Sequence, residues 1–385
     1  MITYKIYHTS NALPKSWDCL NHNDIFLKQQ FLKALENSCP NNVTPYYIGV
    51  FKAEKLVAIA IVQRVEMYLD DIFRNTNDNY LIRKSKQVIS KIVRGNALIV
   101  GNIMHTGQHG LYFNRHEIEY TQFLNEVFKA LKSIAQQIKN TNKKNVRIIA
   151  FKDYFKADAI HKYGHIFKRE KLYKVQVQPN MVFTIPEVWK TKQDYSSALN
   201  KKYRDRYKSA LKKGKVIEKK ELDLNELIKL KPQIFQLYKN VSDNARVNSF
   251  ILNSCHFIDL KTALKDNFKV FGYFINQELV GFFSLIINER KLETYFLGYN
   301  NSLQKKHQIY LNMLYDMAVF GIENNFNTII YARTAMEIKS SIGAKAKAMD
   351  VYMKHTNTFP SNMLLRFIVK YLNPARDWVE RHPFK

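Results

Sequence analysis

Residues 268–287 read Phe-Lys-Val-Phe-Gly-Tyr-Phe-Ile-Asn-Gln-Glu-Leu-Val-Gly-Phe-Phe-Ser-Leu-Ile-Ile. Two β-branched and aromatic runs joined by a polar turn predict a β-hairpin. An earlier stretch, residues 46–63, has the same form: Tyr-Tyr-Ile-Gly-Val-Phe-Lys-Ala-Glu-Lys-Leu-Val-Ala-Ile-Ala-Ile-Val-Gln. Gly49, Phe51, Leu56 and Val57 align without a gap on Gly272, Phe274, Leu279 and Val280, a position-specific internal repeat.

Working outward, each hairpin is followed by a further strand, a long amphipathic helix and a short buried strand. In the first half these fall at 96–104, 117–139 and 146–151. In the second they fall at 291–299, 306–325 and 328–332, with Leu311, Leu314, Tyr315 and Ala318 at three- and four-residue spacing. Both halves read β-β-β-α-β, a mixed α/β (α+β) chain of two similar units. A single doubly wound sheet would need strands and helices to alternate throughout. The expected domains are residues 1–185, a basic helical connector over 186–265, and residues 266–385 with an amphipathic C-terminal helix.

The chain has 385 residues, is 46% hydrophobic and 13% aromatic, and holds only 12 Gly and 9 Pro, which excludes disordered and collagen-like classes. Sixty Lys and Arg against 33 Asp and Glu give a formal charge of +27, a field that attracts nucleic acid, anionic lipid or an acidic carrier protein. Cys19, Cys39 and Cys255 form no paired spacing, so neither a disulfide framework nor a structural zinc site is expected. No basic-then-apolar leader and no run of 18 uncharged apolar residues occurs, and a cytoplasmic protein without a membrane span is expected.

Residues 190–220 carry twelve Lys or Arg against three Asp or Glu. Leu199, Tyr203 and Tyr207 lie one turn apart, so one helix face can pack while Lys202, Arg204, Arg206 and Lys213 stay available to phosphate. The alternative is a solvated helix face. Gly-x-Ser-x-Gly, Walker and Rossmann glycine signatures are absent from the sequence, so hydride and phosphoryl transfer drop away.

Three stretches carry a resemblance. They are Gly95-Asn96 with Gly101-Asn-Ile-Met-His-Thr-Gly-Gln-His-Gly110, then Ala198-Leu-Asn-Lys-Lys-Tyr-Arg-Asp-Arg206, then Ala332-Arg-Thr-Ala-Met-Glu-Ile-Lys-Ser-Ser-Ile-Gly-Ala344. Together with the doubled β-β-β-α-β plan they resemble tandem acyl-CoA N-acyltransferases of the GNAT superfamily, of the type labelled peptidoglycan biosynthesis or recognition proteins. The pattern is similar to bacterial ceramide synthases and to Fem-type peptidyltransferases. The resemblance implies direct acyl transfer from a coenzyme A or acyl carrier protein thioester, with no metal and no permanently bound cofactor.

Such transfer needs a group to take the amine proton and donors for the developing oxyanion. His109, Glu293 and Glu337 are the candidate bases. Arg333, first charged residue after the buried strand, and Lys339 are candidate anion ligands. Thr334 is expected to cap a short helix from Ala335; a capped helix with Arg333 paired to Glu337 is the structural alternative. Glu293 and Tyr295 share a strand face. Tyr299 and Tyr310 place phenols at the strand-to-helix junction, and the resemblance implies that a tyrosine there can protonate the leaving thiolate. Asn300–Tyr310 lacks the glycine loop that cradles pyrophosphate in ordinary GNAT enzymes, so the usual coenzyme A pose is not expected in the second half. Gly101, Gly107 and Gly110 give the first half a glycine-rich bend that could bring amides to an anion.

The C-terminal segment 361–372 reads as a helix with Arg366 and Lys370 on one side and Leu364, Leu365, Phe367, Ile368, Val369 and Leu372 around the rest. It would dock on the second domain or lie on an anionic membrane, with its cations reaching the headgroups. Three functions follow as expectations. One is a membrane-peripheral N-acyltransferase acting on a lipid amine such as a sphingoid or sulfonolipid-type base, at the inner face of the membrane. The second is a Fem-type enzyme that uses aminoacyl-tRNA. The third is a basic binding module without chemistry.

Overall fold

The computed structural model describes residues 1–20, 22–67, 95–244, 248–372 and 378–385, with side chains in the last helix to residue 367. It has two compact units, interleaved along the chain. Unit 1 is Met1–Val177, Ala245–Asn253 and Ala348–Ala375, and unit 2 is Gln178–Asn244, Ser254–Lys347 and Arg376–Lys385.

In unit 1 the strands are β1 (Ile2–Tyr7), β2 (Val43–Lys52), β3 (Lys55–Met67), β4 (Gly95–Val100), β5 (Leu111–Phe113) and β6 (Val146–Phe155). They run in the order β1-β2-β3-β4-β6, with β5 also on β3, and Met349–His355 adds antiparallel to β6. β1 to β4 are antiparallel neighbours, and β4 and β6 are parallel. β3 is buried on both faces from Leu56 to Val65, which is why it reads as an unbroken apolar run rather than an alternation. Helix Tyr120–Asn142 buries Phe123, Leu124, Val127, Leu131, Ile134 and Ile138 at helical spacing against this sheet. Helix Phe359–Leu372 seats Leu365 in a cluster with Val43, Ile99 and Ile148; the side chains of Ile368, Val369, Lys370 and Leu372 lie outside the described residues.

In unit 2 the strands are β7 (Tyr173–Thr184, from Gln178 on), β8 (Glu218–Glu221), β9 (Phe268–Ile275), β10 (Glu278–Asn288), β11 (Lys291–Tyr299) and β12 (Thr328–Ile330). Their order is β7-β12-β11-β10-β9-β8. Helix Ile309–Glu323 buries most of its length. The single helix expected over 306–325 is interrupted at Gln308, whose φ of 49° ends the helix Asn301–His307.

The repeat read from the sequence is reproduced atom by atom. A Cβ added at Gly49 would meet Phe51 Cε2 and Leu56 Cδ1, both at 3.0 Å; at Gly272 it would meet Phe274 Cε2 at 2.8 Å and Leu279 Cδ1 at 3.1 Å. Phe51 pairs with Leu56, and Phe274 with Leu279, each beside a register shift. The glycine lets the aromatic ring and the cross-strand leucine close over the strand in both units.

Candidate functional site

Parallel strands leave the site in unit 2. β11 and β12 pair at Lys291–Thr328, Leu292–Ile329 and Glu293–Ile330. The chain after β12 then stays with β7, through Tyr331 N to Met181 O (2.8 Å) and Met181 N to Ala332 O (3.1 Å). β11 continues to Tyr299 without a strand partner on that side among the described residues. A fork opens between Thr294–Tyr299 and Tyr331–Ala332, and an unpaired strand edge offers N–H and C=O groups to an extended amide-bearing ligand.

Glu293, the last paired residue of β11, is buried, at the apex of this fork. Tyr295, two residues on, shares a hydrogen bond with the buried His256 (Oη to Nε2, 2.9 Å), and burial raises its phenol well above the ordinary value. Tyr299 and Tyr310 face each other with ring centroids 6.1 Å apart, and burial raises both phenols, so both hold their protons at neutral pH.

The other prong of the fork ends in a tightly wound loop. Ala332, Thr334 and Ala335 all have left-handed φ (58°, 68° and 46°), conformations that cost energy without glycine and mark functional or over-determined sites. Lys339 holds the loop from inside. Its Nζ donates to Tyr331 O (2.5 Å) and Arg333 O (2.7 Å), and burial lowers its ammonium to about 7. Arg333 is half-buried beside it, with its guanidinium lowered by burial to about 10, so it remains a cation at neutral pH. Thr334 does not cap the short helix Met336–Ser340: the N-cap is Ala335, and no side-chain cap is made, because left-handed backbone at 334 and 335 turns the hydroxyl away from the first amides. Glu337 is exposed and ion-paired with Arg381, not with Arg333.

At the far end of β11, Asn300 Oδ1 accepts from Ser302 N (3.0 Å) and Ser302 Oγ (2.7 Å). The helix that follows is thus capped by its own asparagine where a glycine loop would receive pyrophosphate. Along the basic helix Lys201–Lys213, Tyr203, Tyr207 and Ala210 are buried with Leu199. Lys202 is exposed, Arg206 half-buried, and Arg204 donates to Leu199 O (2.7 Å).

Unit 1 treats the corresponding gap differently. β4 and β6 pair as far as Val100–Phe151. Gly101 N then donates to Ile61 O (2.9 Å), while Gly110 O accepts from Ile61 N (2.8 Å), so the loop between them is pinched at its base. A Cβ on Gly110 would fall 2.4 Å from Gly101 Cα; only glycine permits that approach. Lys152 of β6 holds the loop down by donating to His105 O (2.8 Å) and Gly107 O (3.3 Å). Gly107, at φ 101°, presents its amide to an anion that belongs to the chain, the Asp153 carboxylate (3.3 Å).

His109 lies on this loop with Nδ1 2.6 Å from Asp24 Oδ2, the arrangement that orients an imidazole for proton transfer. His105 stands edge-on to it, 5.0 Å between centroids, and burial followed by the proximity of His109 and Lys152 lowers its imidazole well below the ordinary range. Asp24, Asp153, His256 and Arg381, the partners that define these clusters, were not foreseen. Asp24 is 85 residues from His109, and no local pattern links them.

No protein-family model matches the chain, and no curated protein matches it in sequence. Among solved structures it is similar to FemX, with a TM-score of 0.54 at 10% identity over 95% of this chain and all of that one. It is also similar to a tandem GNAT protein from the clavulanic acid biosynthesis pathway (TM-score 0.49, 6% identity, 93% and 99% covered). A third is L-PGS from Bacillus licheniformis (TM-score 0.46, 10% identity, 90% and 97% covered). The chain therefore has a two-unit GNAT-type fold, of the kind its sequence resembles. None of the three is a ceramide synthase, and that part of the resemblance rests on the sequence motifs alone.

Proposed function

We propose that this protein is an N-acyltransferase that moves an acyl group from a thioester, carried on coenzyme A or an acyl carrier protein, to the amine of a lipid precursor such as a sphingoid or sulfonolipid-type base. The observation that carries the reading is the open fork of unit 2, against the equivalent gap of unit 1, which its own loop fills. A phosphopantetheine arm, common to both donors, bears amides that match the free edge of β11. The acceptor nitrogen attacks the thioester carbonyl, the C–N bond forms and the C–S bond breaks. Glu293 at the apex takes the amine proton, Tyr299 or Tyr310 returns a proton to the thiolate, and Arg333 holds an anionic group of either substrate. The net charge of +27 suits an acidic carrier and an anionic membrane face alike.

The test is amide formation by the purified protein from a long-chain acyl thioester and a long-chain amino alcohol, followed by mass spectrometry. Glu293→Gln is expected to lower turnover by about 10²–10⁴-fold with an unchanged circular dichroism spectrum. Wild-type turnover in that variant would remove Glu293, and an equal loss in His109→Gln and Asp24→Asn with Glu293→Gln active would move the base to unit 1. No amide from any acyl thioester would sink the lipid reading. The similarity to FemX favours one second reading, aminoacyl transfer from tRNA, which predicts tRNA affinity that falls steeply with salt.

A further inference from the structure

The largest cavity of unit 1 lies away from the loop that carries His109. It is an open cleft of about 900 Å³ at the start of β6, where Val146 and Arg147 line it, seven residues before Asp153; at 3.3 Å per residue that is roughly 23 Å along the strand. Helix Tyr120–Asn142 contributes Lys132 and Lys139, the end of helix Gly164–Arg169 and the turn after it contribute Lys168 and Lys171, and the C-terminal segment contributes Lys354 and Arg366. No Asp or Glu lines the cleft among the described residues. Glu170, just behind it, answers Lys132 at 3.2 Å and Lys354 through its backbone carbonyl at 2.8 Å.

Two further features lie in the lining. The Tyr173 hydroxyl is buried without a hydrogen-bond partner among the described residues, under the Arg366 guanidinium, 5.9 Å from the ring centroid. Burial lowers the Lys354 ammonium, and Lys132 and Lys171 add to that lowering against the pull of Glu170. Cations held this close without carboxylates repel one another until an anion joins them.

One wall of the cleft is helix Phe359–Leu372, and this wall is amphiphilic. Leu365 is only 1% exposed and anchors the helix, while Phe359 (76%), Met363 (49%) and Phe367 (56%) stand in solvent. Phe359 and Met363 line the cleft itself. A free phosphate would gain nothing from exposed apolar side chains next to the cations, whereas a phosphate attached to acyl chains would gain from both.

We infer that this cleft is a docking site for the phosphate-bearing headgroups of an anionic lipid surface, with Lys139, Lys168, Lys171 and Arg366 on the phosphate and Phe359, Met363 and Phe367 entering the acyl boundary. The site deepens the proposed lipid acceptor chemistry and rests on that reading only for its purpose. Vesicle binding is read without turnover, so either claim can fail while the other stands.

The experiment is co-sedimentation of the full chain with phosphatidylcholine vesicles, with and without phosphatidic acid. Binding is expected only with phosphatidic acid. The variant Lys139→Glu, Lys168→Glu, Lys171→Glu, three exposed positions, is expected to weaken it by about a hundredfold. Phe359→Ser with Met363→Ser should weaken it further. Reversing three exposed lysines elsewhere in unit 1, Lys33, Lys156 and Lys162, is the control. An equal loss in that control overturns the site in favour of diffuse attraction. Full competition by inorganic phosphate overturns the headgroup in favour of a free anion. Absent vesicle binding together with tRNA binding that the cleft reversal abolishes replaces the lipid with nucleic acid.

Discussion

Lys339 shows how a residue that the sequence presents as an anion ligand is drawn instead into the fold. Its ammonium is buried on two backbone carbonyls of the loop after β12 and holds three successive bends of left-handed backbone in place. Its value in the folded chain, about 7, lies below the ordinary 10.5. Between those limits the unfolded chain binds more protons than the folded one, so this group's contribution to stability rises with pH from about 7 to about 10.5, and its full burial penalty stands below pH 7. Replacing it by methionine leaves two buried carbonyls without their donor, a cost of about 1–3 kcal/mol. The difference in Tm between the wild type and Lys339→Met is therefore expected to widen between pH 7 and pH 10, as followed by thermal unfolding; a gap that does not change with pH would contradict the burial of a titrating ammonium. At this scale the sequence is legible where the partners are near neighbours. Glu293 and Tyr295 on one strand face follow from alternation alone. The partners of Tyr295, His109 and Glu337 are not legible, because His256, Asp24 and Arg381 arrive on segments that only tertiary packing brings close.

Among the elements, the fork depends on how tightly β11 is held on its far side. Gly298 has helix Lys231–Ser242 pressed against it: a Cβ there would lie 2.3 Å from the Leu237 carbonyl carbon and 2.5 Å from Tyr238 N. Backbone cannot yield as a side-chain tip can, so Gly298→Ala is expected to destabilise by about 1–3 kcal/mol or more, read by denaturant unfolding. Gly164→Ala, where an added Cβ meets nothing within 4 Å, is the matched control and should leave stability unchanged or slightly raised; equal behaviour of the two variants would refute the close approach. The strands and hairpins were legible from the apolar runs, and the doubled hairpin was legible because its glycine, phenylalanine and leucine touch across only seven residues. The break at Gln308 and the end of β4 at Val100 were not, since a left-handed glutamine and a pinched glycine loop leave no periodic trace.

On the scale of the whole molecule, duplication explains the division of labour. Both units carry the same hairpin and a parallel strand pair after it, yet one gap is closed by Lys152 and its loop while the other stays open. The overall plan was legible from the repeat. Which half keeps the gap open was not, because it turns on one lysine and on where β12 leaves β11. The central claim, N-acylation of a lipid amine at the open fork, is tested most directly by lipid mass spectrometry of the native host lacking this gene, complemented with the wild type or with Glu293→Gln. The account predicts that an amide-linked lipid disappears while its free amine accumulates, and that only the wild type restores it. An unchanged lipid profile in the gene-deleted host, or full restoration by Glu293→Gln, would contradict it.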